Sequence, residues 1–356
     1  MRYRNQLEPN ELIHSFQLHP PYHFKILDYT EGLPVFSAKF DLLTTAEDDF
    51  RQKITRMPLY HLWKRWLSVQ ACFIGTTVSE YALFPHNQTE SMTAESIQKT
   101  YAQDYTLTIV KDIPSHSPLL CDEDNRYAKN LLKALREIGF IVLSGQALAW
   151  VPIDFSSIDD YIQRLSSGRR KDMRRKLRKS ADVVINKVML GDESFQDEAL
   201  LAQYYELYLN VFQQSEIHFD QLSREFFTTI LQDQSSNGIV FTYYHQDQLI
   251  GYNICYEVNH KLIDKYVGFV YPQARDKNLY YLSWFHNLEY ALKQGLTHYV
   301  AGWTDPEIKS YLGASFTLTQ HAVYVKNPIL RAILKPLSRY FESDALTLEQ
   351  LSEKRQ

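Results

Sequence analysis

KLIDKYVGFVYPQARDKNLYYLSWFHNLEYALKQGLTHYVAGWTDPEIKSYLG, residues 261–313, changes hydrophobic period twice along its length. Leu262, Tyr266, Phe269 and Val270 belong to a β-rich run that ends at Pro272. A loop follows over Gln273 to Asn278. From Leu279 to Gln294 the apolar residues Leu282, Phe285, Leu288, Tyr290, Ala291 and Leu292 take helical spacing. Gly295 stands where a helix C-terminus wants a residue tolerant of positive φ. His298 to Ala301 returns as a strand. A strand–helix–strand unit of this length implies a parallel pair with a right-handed crossover. The helix then begins at the carboxyl end of the first strand. Its free N–H groups and dipole favour an anion there, and Arg275 and Lys277 add positive charge.

Working outward, Asp182 to Leu190 is expected as a strand, Asp197 to Phe212 and Gln221 to Gln232 as helices, and Gly238 to Tyr244 with Gln248 to Val258 as a hairpin about His245-Gln246-Asp247. In the first half, Leu33 to Phe40, Gly75 to Leu83, Tyr105 to Lys111, Phe140 to Ser144 and Ala147 to Ile153 have strand character. Ala94 to Tyr101 and Tyr127 to Ile138 have helix character. Residues 1–30 look irregular, and Asn327 to Phe341 looks like a basic helix broken at Pro336. Between the halves lies YIQRLSSGRRKDMRRKLRKS, residues 161–180, with eight cations between Arg169 and Lys179 and Asp172 as the one acid. These signals divide the chain into residues 1–155, a basic connecting helix 156–181, residues 182–341, and a polar tail 342–356.

The whole chain carries a net charge of −4, so the basic run is a local feature of an acidic protein. Three scattered cysteines form neither a disulfide framework nor a metal-ligand spacing. The histidines show no metal spacing either, and no metal is assigned. No apolar run approaches the ~20 residues of a membrane span, and the N-terminus lacks a signal-peptide core. The expected location is the cytoplasm, or the periphery of the inner membrane. Walker, dinucleotide-binding and Gly-x-Ser-x-Gly motifs are absent, which disfavours NTPase, dehydrogenase and serine-hydrolase chemistry.

From Asp182 the order β, α, α, β, β, β, α, β matches the GNAT acetyltransferase fold. With ARDKNLYY (274–281), AGWT (301–304), EIKSYLG (307–313) and the basic run, the chain resembles bacterial two-lobed GNAT proteins, the Fem-type peptidoglycan aminoacyltransferases and their acetyltransferase-like relatives. The resemblance spans about Leu33 to Tyr340. It implies an α/β (α+β) fold of tandem GNAT-like lobes, each a mixed sheet flanked by helices and joined by the basic helix, with a degenerate first lobe. It also implies N-acyl transfer from an acyl-CoA or an aminoacyl-tRNA to an amine, with a cell-envelope precursor as a candidate acceptor. The acetyl-CoA signature Arg/Gln-x-x-Gly-x-Gly/Ala is replaced here by Arg275-Asp-Lys-Asn-Leu-Tyr, without either glycine. The two donors therefore both stand.

On this reading Val270 and Tyr271 at the strand end, with Arg275, Lys277, Asn278 and Leu279 at the loop and helix start, hold the donor. Asp264 and Tyr266, expected on one face of the strand, and Lys309 are the catalytic candidates. Arg169, Arg170, Arg174, Trp303 and Gly313 are candidates for contact with the acceptor, with a tRNA, or with an anionic pyrophosphate. The alternative is a non-catalytic protein whose basic helix binds nucleic acid or anionic membrane.

Overall fold

The computed structural model describes residues 3–27, 32–43, 48–215 and 218–334. The expected break at Pro336 and the polar tail lie outside them. Two compact units are present, one made of residues 1–6, 23–148 and 316–356, the other of residues 7–22 and 149–315. The division thus departs from a linear cut at 155. Residues 7–22 fold with the second unit, and most of the strand Ser315–Val325 folds with the first.

In the first unit the strand order is Lys25–Ile26, Val35–Asp41, Ser68–Ile74, Leu107–Pro114, Ser315–Val325 and then the first part of Ile141–Pro152. Ser68–Ile74 and Leu107–Pro114 run parallel, and Glu90–Thr100 lies between them in sequence. Val35, Ile74, Val110 and Ala322 of the sheet pack with Ile97, Leu131 and Leu135 of the helices Glu90–Thr100 and Asp122–Glu137 in one core. Gly75 to Leu83, expected as a strand, is a series of turns. Hydroxyls replace ladder partners there: Thr76 Oγ1 accepts from the Val78 and Ser79 amides, and Ser79 Oγ donates to the Tyr81 carbonyl. The two strands expected around Gly145 are one continuous strand, Ile141–Pro152. A side chain at Gly145 would meet Thr319 Oγ1 at 2.4 Å, so glycine is required by a neighbour and not by a turn.

In the second unit the order is Ala149–Pro152, His298–Gly302, Lys261–Phe269, Gln248–Val258, Gly238–His245 and Val184–Met189. Every pair is antiparallel except Lys261–Phe269 with His298–Gly302. The helices Glu198–Phe212 and Arg224–Leu231 cover one face; Ser167–Lys179 and Leu279–Lys293 lie on the other. Adjacent strand residues show this: the Tyr252 hydroxyl donates to the Tyr204 carbonyl on one side, while Asn253 meets Asn287 on the other. Residues 1–30, expected as irregular, contain the helix Asn10–Leu18, whose buried Leu12, Ile13 and Phe16 form an apolar face, and which packs on Arg224–Leu231.

Candidate functional site

The parallel pair is short. Lys261, Leu262 and Ile263 oppose His298, Tyr299 and Val300, and there the pairing stops, although one strand runs on to Phe269 and the other to Gly302. Both strands are bulged where they part. Against Gln248–Val258 the register slips so that Lys265 is the extra residue between Tyr266↔Ile254 and Asp264↔Cys255. Against Ala149–Pro152 the slip leaves Ala301 out between Val300↔Trp150 and Gly302↔Ala149. The freed Ala301 carbonyl accepts a hydrogen bond of 2.6 Å from Lys309 Nζ. Lys309 is 4% exposed, rare for a lysine. A Cβ at Gly302 would lie 3.9 Å from this ammonium and 4.0 Å from the Asp264 carbonyl, so cation, glycine backbone and strand carbonyl converge at the opening of the wedge.

Local chemistry holds Lys309 there. Its helix, Pro306–Leu312, starts with proline at its first turn and ends in a Schellman motif. Gly313 adopts φ +104°, its amide donates to the Ser310 carbonyl, and the Ala314 amide donates to the Lys309 carbonyl. The expected role of Gly313 in close ligand approach is corrected by its surroundings. A Cβ there would stand 2.8 Å from the Tyr161 hydroxyl and 3.0 Å from Leu165 Cδ2, so side chains of this chain already occupy the space. The Tyr161 hydroxyl donates to the Leu312 carbonyl at 2.7 Å, and Arg169 Nη1 to the Ser310 carbonyl at 3.2 Å. Trp303 is half-buried next to Gly302.

Asp264 and Tyr266 do not share a face. The bulge at Lys265 inverts the alternation. Asp264 Oδ1 accepts from Asn253 Nδ2 at 2.6 Å, and Oδ2 accepts from the Tyr299 hydroxyl at 2.7 Å and Asn287 Nδ2 at 3.2 Å. Tyr266 instead packs against Phe226 and Phe227 on the opposite side. Three fixed donors thus hold the Asp264 carboxyl in one orientation. Burial, reinforced by Asp264, pushes the Tyr299 phenol far above its usual range, so it remains a donor. Lys265, swung out by the bulge, reaches within 3.8 Å of the fully buried Glu8 carboxylate. Tyr280 is likewise held protonated, by burial first and then by the carboxylates of Asp305 and Asp264.

On the donor side, Gln273–Asp276 is a helical turn, not an open loop. Its amides are spent internally: Ala274 donates to Val270, Arg275 and Asp276 to Pro272, Lys277 to Gln273, and Asn278 to Arg275. Arg275 bonds Gln214 and lies 4.9 Å over the Tyr271 ring, while Lys277 bonds Asp182 at 2.5 Å. Asn278 takes φ +51° ahead of Leu279–Lys293, and Leu279 is fully buried. Val270 lines a separate pocket of about 480 Å³ with Asn210 and Leu207.

The basic helix, Ser167–Lys179, presents two faces. On the inner face Asp172 accepts from Lys176 at 3.1 Å and from the Tyr311 hydroxyl at 3.2 Å, and the exposed Arg175 reaches round to it at 2.6 Å. Burial alone would raise its carboxyl, but those partners hold it below the usual carboxylate range. Lys176 Nζ sits 3.5 Å over the Tyr281 ring. Arg170 donates to the Leu165 carbonyl at 2.7 Å and the Gln163 carbonyl at 3.4 Å, so it ties down the end of the preceding helix Ile158–Gln163, and Arg174 stands 3.9 Å from Asp159. Arg169 and Arg170 are therefore engaged by this chain, and Arg174 is exposed. Among the described residues, no group of three His, Cys, Asp or Glu side chains gathers at metal-binding distance.

A family model for FemAB-like proteins, described as peptidoglycan biosynthesis and recognition, matches residues 86–354. The chain belongs to the FemAB-like family. Solved structures agree at the level of fold. FemX superposes with a TM-score of 0.52 at 11% identity over 92% of this chain and 94% of that one. L-PGS from Bacillus licheniformis gives 0.51 at 11% over 95% and 98%. The C-terminal domain of a putative lysylphosphatidylglycerol synthetase from Agrobacterium fabrum gives 0.53 at 9% over 91% and 90%. No curated protein matches the sequence. The two-lobed, Fem-type reading of the sequence is thereby confirmed.

In this FemAB-like chain several residues that shape the wedge escaped the sequence reading. Asn253 and Asn287 are both 0% exposed; Asn253 interrupts the apolar run GYNICY, and Asn287 falls on the same helical face as the apolar Trp284, Leu288 and Ala291. A buried amide at such a position demands partners, and that is the signal by which they are found. Tyr161 stood in the sequence only as the first residue of the basic stretch 161–180. Glu8 had no signal, because its partner lies more than two hundred positions away in sequence.

Proposed function

We propose that the wedge between Lys261–Phe269 and His298–Gly302 is the acyl-transfer site of an N-acyltransferase that acts on the amine of a cell-envelope precursor. The observation that carries this is the buried Lys309 ammonium bonded to the carbonyl of Ala301, the residue skipped in the strand register, where the strands part. An acyl carbonyl placed between the strands becomes anionic as the amine attacks. A fixed cation stabilises that charge without reorganisation. Lys309 is the residue assigned to it. Asp264 fixes the geometry of both strands through Asn253, Asn287 and Tyr299. Tyr280, kept protonated by burial, is assigned as the relay: its proton goes to the leaving group as the acyl bond to it breaks, and the proton lost by the attacking nitrogen restores the phenol. The rest of the rate comes from positioning the two substrates.

For the donor, the reading favours an aminoacyl ester carried on tRNA over a coenzyme A thioester. Its support is the turn 273–276, whose amides bond within the chain instead of facing a pyrophosphate, together with the missing glycines and the engagement of Lys277 by Asp182. Val270, Tyr271, Arg275, Asn278 and Leu279 then frame the donor end of the wedge, and Trp303 its acceptor side.

The test is single-turnover transfer of radiolabelled amino acid from charged tRNA, and of acetyl from acetyl-CoA, to an envelope-precursor peptide amine. Lys309→Ala is expected to lower transfer by about 10²–10³-fold, the loss typical of one oxyanion-stabilising donor. Lys309→Arg keeps charge but not the shape of the ammonium, and is expected to recover little. Wild-type rates retained in Lys309→Ala would remove the lysine from the chemistry, and activity with acetyl-CoA alone would reverse the choice of donor.

A further inference from the structure

The outward face of the basic helix concentrates positive charge that has no contact with Lys309. Lys171, Arg174, Arg175, Arg178 and Lys179 recur at i, i+3, i+4, i+7 and i+8, and all five are exposed. They form one stripe about 12 Å long. Among the described residues, Lys171, Arg178 and Lys179 have no acidic side chain within ion-pair distance. Beside the stripe lies an open groove of about 690 Å³, bounded by the helices Ile158–Gln163, Ser167–Lys179 and Leu279–Lys293. Ile158, Ile162, Leu177 and Leu292 give it apolar lining; of its charged residues, Asp159 and Glu289 are paired with Arg174 and Lys293, which leaves Arg178 as the cation in excess.

We propose that this face docks on an anionic lipid surface, with lipid phosphates on the cationic stripe and an acyl chain in the apolar groove. Charge complementarity supplies the first half of the argument: seven net positive charges on thirteen residues, in a chain of net charge −4, select a polyanion. The groove supplies the second half. A nucleic acid would engage the stripe and leave Leu177 and Leu292 in water, whereas an anionic amphiphile satisfies both surfaces at once. Long cationic side chains lying along an apolar slot are the arrangement of an interfacial helix. The assignment is independent of acyl transfer at the wedge, because none of the stripe residues touches Lys309.

The experiment is co-sedimentation of the full chain with vesicles of equal parts phosphatidylglycerol and phosphatidylcholine, and with vesicles of phosphatidylcholine alone. Binding to the anionic vesicles only, falling as salt rises, is expected. Lys171→Ser/Arg178→Ser/Lys179→Ser should weaken partitioning by about fivefold for each cation removed. These are surface changes, so an unchanged far-ultraviolet spectrum and melting temperature are expected with them. Leu177→Gln should weaken binding to anionic vesicles while leaving its salt dependence in place. Lys309→Ala should bind vesicles as the wild type does, which separates this proposal from the catalytic one. The proposal is overturned by equal binding to both vesicle types, or by a triple variant that binds as well as wild type. Cation-dependent capture of bulk tRNA without vesicle binding overturns it too. Binding unaffected by Leu177→Gln removes the groove, and with it the preference for lipid.

Discussion

Gly313→Ala tests how the wedge lysine is held. Two costs add. The residue sits at φ +104°, where an L side chain is strained by about 1–2 kcal/mol. Its new methyl would also stand 2.8 Å from the Tyr161 hydroxyl and 3.0 Å from Leu165 Cδ2, and overpacking of this kind costs about 1–3 kcal/mol. A total of about 2–5 kcal/mol is expected from these two terms. Tyr161→Phe alone removes the 2.7 Å hydrogen bond and leaves the Leu312 carbonyl buried, at about 1–2 kcal/mol. In the double variant the hydroxyl is gone. The methyl's nearest tyrosine-ring atom is then Cζ, at 3.4 Å, and the hydrogen bond cannot be lost a second time. The two substitutions should therefore cost at least about 1 kcal/mol less together than the sum of the singles. The assay is urea unfolding of the four proteins, with the denaturant slope constant across the set. Strict additivity would refute the reasoning, because it would mean that Tyr161 and Gly313 do not share the space assigned to them.

Two further outcomes follow from buried charge. Glu8→Gln leaves the Lys265 ammonium in the fold without its carboxylate, and a loss of about 3–5 kcal/mol is expected by the same urea assay; a change below 1 kcal/mol would mean that water reaches the pair. His286 packs on Phe241 at 4.6 Å, and burial holds its imidazole below the ordinary histidine value. The unfolded chain therefore binds the proton more tightly. The stability tied to this residue is fully present above about pH 6.5 and is lost as pH falls from there toward the depressed folded value. His286→Gln should flatten that slope between pH 5 and 7 in melting experiments; an unchanged slope would place the titration elsewhere.

Much of the second unit was legible in the sequence because its signals are local. The crossover helix ends at Gly295, where a positive φ of 65° was expected from the residue alone. The hairpin turns at Gln246 and Asp247, both at positive φ, as the break between two apolar runs implied. In the first unit, Gly75 to Leu83 misled because its Thr, Val and Tyr residues are the types that strands favour. The Thr76 and Ser79 hydroxyls bond the local backbone instead, which residue type does not register. Residues 1–30 misled for a related reason: the prolines at 9, 20 and 21 bracket a helix and do not interrupt it.

The sequence by itself determined the element order from Asp182 onward, the parallel crossover, the position of the lysine one turn before a glycine, and the charge of the connecting helix. Each depends on residues close together in the chain. Tertiary structure alone decided which way those residues point. One extra residue at Lys265 sends Asp264 to the asparagines and Tyr266 to the phenylalanines, because strand alternation has a period of two and a bulge reverses it. It likewise decided that Ala301 would lose its ladder partner and that Lys309 would take the carbonyl, since a hydrogen bond between distant elements has no signature in the composition of either.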